Sequence, residues 1–177
     1  MKNKTLVALT VVIIAVGIFW WQMAQAPNEV KEVARTDYKN ILYEIEGQSH
    51  VLADGVFEAK IANSADKIIV RYFGNDVTGD FNGDNFDDII FLLTYNTGGS
   101  GTFYYVVVAL KTANGYVGTN GVFLGDRIAP QSTEFRDGEI IVNFADRKSD
   151  GPMTATPSVG VSKYLKVENG KLVEVLK

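Results

Sequence analysis

No cysteine occurs in this chain, which excludes a disulfide framework, a thiolate metal site and an anchor through a lipid-modified cysteine. That absence is compatible with either side of a membrane. The sole histidine, His50, leaves a histidine-based zinc site short of ligands. Its place in the polar-apolar alternation of residues 48–52 predicts a solvent-facing strand position. Basic residues are fewer than acidic ones, 17 against 21, for a formal net charge of −4. The basic face that phosphate binding requires is therefore missing, and no nucleic-acid partner is expected.

Two catalytic signatures are missing as well. Ser100, in Gly98-Gly99-Ser100-Gly101-Thr102, fails the nucleophile-elbow pattern at its last position. Gly170-Lys171 belongs to a turn and not to a phosphate-cradling glycine loop. No segment recurs at a fixed period, which argues against a repeat architecture. Catalytic residues are accordingly assigned to none.

What the chain has in excess is one long apolar run. No charged residue stands between positions 5 and 28, and residues 6–21 are almost wholly aliphatic before the aromatic pair Trp20 and Trp21. Roughly 20 residues at 1.5 Å each cross the hydrocarbon core of a bilayer. Lys2 and Lys4 precede the run, while Glu29, Lys31, Glu32, Arg35 and Asp37 follow with mixed sign. The positive-inside bias then predicts a single-pass signal-anchor helix over residues 1–25 in the cytoplasmic membrane. Its N-terminus is cytoplasmic and the remainder periplasmic or extracellular. The rival reading is a cleaved signal peptide, because Ala24-Gln25-Ala26 suits a signal peptidase. Against it stand an apolar stretch longer than the usual 7 to 15 residues and Pro27 directly after the cut. Residues 26–40 read as a polar juxtamembrane linker.

From residue 41 to 177 the periodicity is that of strands. Asp54-Gly55, Asn114-Gly115, Asp137-Gly138 and Asn169-Gly170 are two-residue signals for tight hairpins, whose central residues need positive φ. Ile140, Val142 and Phe144 alternate with smaller or polar neighbours, as do Val159, Val161, Leu165 and Val167. Residues 89–93 and 103–110 are instead apolar on consecutive positions, the mark of strands covered on both faces. Joined by the glycine-rich residues 96–101, they predict a central hairpin with a flexible loop at its far end. The expected fold is mainly β, an antiparallel sandwich or irregular barrel of about nine or ten strands.

Chemistry concentrates in one loop. Between Arg71 and Lys111 there is no lysine or arginine, yet Asp76, Asp80, Asp84, Asp87 and Asp88 fall there. Carboxylates so crowded repel one another, and with no basic side chain near in sequence a bound cation is the simplest neutraliser. Oxygen-only ligands select a hard ion, calcium before magnesium. Asp80, Asn82, Asp84 and Asp88 occupy positions 1, 3, 5 and 9 of a loop over residues 80–88 that runs into an apolar strand. Phe86 at position 7 is placed to give its carbonyl while its ring turns to the core. Asn85 at position 6 tolerates the left-handed turn required there. The rival account is a solvated turn, since Asp, Asn and Gly are ordinary turn formers.

The run Gly79-Asp80-Phe81-Asn82-Gly83-Asp84-Asn85-Phe86-Asp87-Asp88-Ile89-Ile90 resembles the calcium loop of FG-GAP and VCBS repeats, the blades of integrin α-subunit propellers. The resemblance implies ligation by Asp80, Asn82, Asp84, the Phe86 carbonyl and Asp88. It covers only residues 76–92, and one copy cannot build a propeller of several blades. The loop is EF-hand-like in spacing, but position 12 is Phe91 and a strand follows, so a true EF-hand is not expected.

Other groups carry weaker signals. Asp126-Arg127 and Asp146-Arg147 read as surface ion pairs, with paired carboxylates of a polysaccharide hydrolase, Asp150 included, as the alternative. Tyr95, Tyr104, Tyr105 and Tyr116 read as core before ligand patch. Residues 96–102 offer a finger for an inhibitor or accessory subunit. The leading expectation is a non-enzymatic, membrane-held, calcium-binding β-domain whose partner is an envelope protein or polysaccharide.

Overall fold

The computed structural model describes residues 37–152 and 154–177. The expected membrane helix, and the linker up to residue 36, lie outside the described residues. Among those described, no helix is long and apolar enough to cross a membrane. A short 3-10 turn, Tyr38–Asn40, leads into twelve strands: β1 Leu42–Ile45, β2 Gln48–Val51, β3 Val56–Lys60, β4 Lys67–Gly79, β5 Asp88–Asn96, β6 Phe103–Thr112, β7 Gly115–Gly118, β8 Val122–Asp126, β9 Ala129–Arg136, β10 Glu139–Asp146, β11 Val159–Glu168 and β12 Lys171–Glu174. The fold is mainly β and antiparallel, as the periodicity predicts, but it has twelve strands in three sheets where a sandwich or irregular barrel of about nine or ten was expected.

The strands make three layers. β3-β4-β5-β6-β7 form the central sheet, with β8 also paired to β6. β12-β11-β10-β9 form a second sheet, and β1-β2 a two-stranded third. The consecutive apolar runs explain the stacking. In the β5–β6 hairpin Ile90 faces Val108 and Leu92 faces Val106, while Phe91 faces Val107 and Leu93 faces Tyr105. The first set packs with Ile140, Val142, Phe144, Leu165 and Leu172 of the four-stranded sheet. The second set packs with Ile41, Tyr43, Ile45 and Leu52 around the β1–β2 hairpin. Both faces of β5 and β6 are thus dry, each large apolar side chain contributing roughly 1.5–3 kcal/mol on burial.

Three of the four turn signals act as expected. Asp137-Gly138 and Asn169-Gly170 take φ of 54° and 75°, and 50° and 74°, and close the β9–β10 and β11–β12 hairpins. Asp54-Gly55, at 50° and 79°, also turns tightly, but it passes the chain from the small sheet to the central one. The fourth differs by one residue: Thr112 pairs with Gly115, so the turn is Ala113-Asn114. A further turn, Glu46-Gly47 at 53° and 69°, joins β1 to β2.

The three layers meet at residues 118–121. Thr119 exchanges bonds with Val108, its N–H donating to the carbonyl at 2.9 Å and its Oγ1 accepting from the amide at 3.0 Å. Glu44 donates to the Thr119 carbonyl, and Gly121 donates back to that of Glu44. The Asn120 side chain pairs with both backbone groups of Leu172, at 2.9 and 3.0 Å. One short segment therefore bonds to β6, β1 and β12.

His50 departs from expectation. The alternation is as read, but the hairpin lays the His50 and Leu52 side inward, and His50 is 2% exposed. Its ring contacts Phe57 at 4.8 Å and Tyr95 at 5.8 Å between centroids. Neither ring nitrogen makes a well-formed hydrogen bond among the described residues, and a backbone contact from Ile45 only partly opposes the effect of burial. Burial lowers its pKa, so the fold favours the neutral ring. A depressed pKa contributes stability that is in place above the ordinary histidine range and is lost as the pH falls through it. Unfolding midpoints in urea should therefore drop between about pH 7.5 and about pH 5.5. His50→Phe should flatten that slope, and a slope unchanged in the variant would assign it to other groups.

Candidate metal centre

The aspartate loop is the connection of the β4–β5 hairpin, closed by the pair Gly79 and Asp88. β4 is unusually long and slips register twice, between Tyr72 and Gly74 and between Gly74 and Val77. Gly74 and Asn75, at φ 118° and 62°, supply the bends. Within the loop Gly83 and Asn85 take φ of 81° and 66°. Asn85 thus adopts the left-handed turn that its place at position 6 predicts.

The side chains at positions 1, 3 and 5 bond to the loop's own backbone and to one another, although Asn82 and Asp84 are exposed. Asp80 Oδ1 accepts from the Gly83 and Asp84 amides at 2.7 and 3.1 Å, and its Oδ2 from the Asn85 amide at 2.9 Å. Asn82 Oδ1 accepts from the same Asp84 amide at 3.0 Å, so oxygens of Asp80 and Asn82 converge on one N–H. Asn82 Nδ2 donates to Asp84 Oδ2 at 2.9 Å, and Asp84 Oδ1 accepts from the Phe86 amide at 2.9 Å. The Asn85 N–H first, then those of Gly83 and Asp84, hold the Asp80 carboxyl below the usual aspartate range.

Asp88 is the buried member, with no exposed surface. Its Oδ2 accepts from the Phe81 amide at 3.0 Å and its Oδ1 from the Lys111 amide at 2.8 Å. One carboxylate thereby ties the start of the loop to the end of β6. Burial pushes its pKa up, the two N–H groups oppose that, and the charges of Asp84 and Asp80 add to the rise. Its deep position follows from the strand it opens, since Ile90 and Leu92 on the same face belong to the core.

Two expectations about this loop require correction. The Phe86 ring does not turn to the core and is 44% exposed. Phe81 takes that place, buried against Phe135 with ring centroids 4.8 Å apart, because Asp88 draws its amide inward. Nor are the carboxylates left without compensation, because backbone N–H groups surround Asp80 and Asp88. Asp76 stands apart and accepts from the Tyr38 and Tyr72 hydroxyls at 2.9 and 2.7 Å, while Asp87 is exposed. Among the described residues no lysine or arginine pairs with any of the five. Nor, among them, does any group of three or more His, Cys, Asp or Glu stand together as a metal cluster. An ion here would need the Asn82 amide and main-chain oxygens beside the carboxylates.

No family model, curated protein or solved structure matches the chain.

The remaining sequence candidates are engaged in ion pairs, loop bonds or exposed turns. Asp126 pairs with the Arg127 guanidinium at 2.6 Å and the Arg147 guanidinium at 3.6 Å, and it accepts from the Thr102 amide at 2.9 Å. Burial raises its pKa, but the Arg127 bond, the Thr102 N–H and both arginine charges outweigh it, and the net shift is downward. A carboxyl held ionised in this way does not serve as a proton donor. Asp146 accepts from the Arg147 amide at 2.7 Å, and Asp150 is exposed in a turn. In residues 96–102 the Asn96 side chain closes the loop on itself, donating to the Gly101 carbonyl and accepting from the Gly98 amide, both at 2.7 Å. Tyr95 and Tyr105 are buried, and Tyr104 and Tyr116 half-buried.

Proposed function

We propose that residues 80–88 bind calcium and that the domain is a calcium-stabilised β-module with a binding or structural role and no chemistry of its own. The N-terminal apolar run would hold it at the outer face of the cytoplasmic membrane. The observation that carries the metal reading is the placement of Asp88, a wholly buried carboxylate at the base of a loop that also holds the Asp84 and Asp80 charges opposing its own. A cation beside Asp80 and Asp84 relieves that repulsion without a basic side chain. Support also comes from the convergence of Asp80 and Asn82 oxygens on the Asp84 amide and from the left-handed Asn85. Asp80, Asn82, Asp84 and the Phe86 carbonyl supply the outer ligands, with Asp88 behind them. Oxygen ligands from one short hairpin loop suit a structural ion that stiffens the β4–β5 connection.

The test is thermal unfolding of the full chain in a maltoside detergent, with calcium added to chelator-treated protein. Binding to the folded state alone contributes about 2.7 kcal/mol at a hundredfold excess over Kd, which raises Tm by roughly 5 °C or more for a chain of this size. Magnesium should do less, because it sheds water reluctantly. Asp80→Ala with Asp84→Ala should remove the calcium response. An unchanged wild-type Tm at about 10 mM calcium, far above the range of such sites, would refute the metal reading.

A further inference from the structure

A second feature lies away from the aspartate loop, where Tyr95, Phe103, Tyr105, Phe123 and Glu46 line an open cavity of ≈ 340 Å³. That volume is at the scale of small-molecule sites. Its walls are aromatic and in mutual contact. Tyr95 and Tyr105 meet edge to face at 6.0 Å between centroids, Tyr105 and Phe123 lie at 5.4 Å, and Phe103 and Phe123 at 6.4 Å. The two tyrosines are buried, whereas Phe123 is 44% exposed and Glu46 is exposed. The cavity therefore runs from solvent down to phenol rings.

Glu46 gives the cavity its charge. It stands in the turn between β1 and β2 with φ of 53°, a conformation that asparagine or glycine takes more readily. The turn brings its carboxylate to Tyr105, whose hydroxyl donates to Glu46 Oε1. The second oxygen has no partner among the described residues, and no lysine or arginine among them pairs with this carboxylate. Lys163 comes near the rim but is engaged, donating to the Phe123 carbonyl and to Glu174, each at 3.0 Å. Burial and Glu46 together push the Tyr105 pKa up, which keeps the phenol neutral and donating.

We infer that this cavity binds a small organic ammonium cation, with Glu46 as its counter-charge and the four aromatic rings as its walls. Other ligand classes fit less well. An anion is repelled by Glu46. A wholly apolar ligand would cover that carboxylate without replacing its water. A sugar or other polyol needs several convergent donors and acceptors, and the lining has one carboxylate and two phenols, one already bonded to it. A hard metal ion needs about six oxygens. An alkylammonium group is served by both features at once, since π-faces attract cations and the methyl groups are content against aromatic carbon.

The test is titration of the full chain in maltoside with choline chloride, followed by calorimetry and by saturation-transfer NMR. The comparison ligand is 3,3-dimethylbutan-1-ol, which has the same shape without the charge. Choline should bind at least tenfold tighter than the alcohol. Glu46→Gln keeps an acceptor for the Tyr105 hydroxyl, so it should leave Tm unchanged while weakening choline roughly tenfold. Phe123→Ala, at an exposed ring, should weaken choline and leave the β-sheet circular dichroism intact. Equal affinity for choline and the alcohol, undiminished choline binding by Glu46→Gln, or no binding by the unaltered chain at about 50 mM choline, far above useful affinities, would each overturn the assignment. Calcium-loop variants do not enter this experiment, so the two sites succeed or fail separately.

Discussion

Replacing Asp88 by alanine should cost roughly 3 to 5 kcal/mol of folding stability in calcium-free buffer. Two backbone amides, of Phe81 and Lys111, lose their acceptor together, and each hydrogen bond to a charged group is worth about 1.5–3 kcal/mol when it is removed and the donor left dry. The desolvation that raises the Asp88 pKa acts the other way, which is why the expected loss lies below the sum of two such bonds at their upper values. Asp88→Asn should be intermediate, since the amide retains one acceptor oxygen and turns its NH2 toward the other backbone N–H. Urea unfolding in the presence of a chelator measures both variants. A loss under about 1 kcal/mol for Asp88→Ala would mean that water or the main chain replaces the carboxylate. Carrying out the measurement without calcium separates this structural tie from any metal ligation by the same side chain.

Gly118→Ala should be of similar size, for a steric reason. A Cβ at Gly118 would lie 2.1 Å from the Leu42 carbonyl oxygen and 2.7 and 2.8 Å from two ring carbons of Tyr43. The carbonyl is backbone and Tyr43 is wholly buried, so neither can rotate aside. Either β1 lifts from the central sheet or the bonds of Thr119 and Gly121 to Glu44 stretch. A loss of about 3 kcal/mol or more is expected, at the upper end for single substitutions. Gly160→Ala is the internal control. That position has nothing within 4 Å of the added carbon, and alanine there should be neutral or slightly stabilising by restricting the unfolded chain. Comparable losses at both sites would show that glycine matters here for strand flexibility and not for close approach.

The two substitutions mark where local reading ends. Asp88 is visible as an acidic residue in a loop of calcium-like spacing, but the acceptor role that buries it depends on the Lys111 amide, 23 positions away. Gly118 carries no turn signal, because its requirement comes from the close approach of the Leu42 carbonyl and the Tyr43 ring. His50 shows the same limit. Its alternation is plain in the sequence, but only the packing of the β1–β2 hairpin decides which side faces in. The phenylalanines of the loop exchange the expected roles, Phe81 inward and Phe86 outward, for the same reason. Tyr95 and Tyr105 read correctly as buried hairpin tyrosines, and the bond of Tyr105 to Glu46 reaches back to a turn 59 positions earlier in the chain.

The amino-acid order alone determined the strand periodicity, the tight turns at Asp137-Gly138 and Asn169-Gly170, the doubly covered β5 and β6, and the winding of residues 80–85. These follow from φ preferences and side-chain alternation, which act within a few residues. Tertiary structure alone decided the three-layer stacking, the burial of His50 and Asp88, the node at residues 118–121 and the aromatic cavity around Glu46. In each of those, groups far apart in sequence share a space from which water is excluded, and contact and desolvation there depend on position in three dimensions.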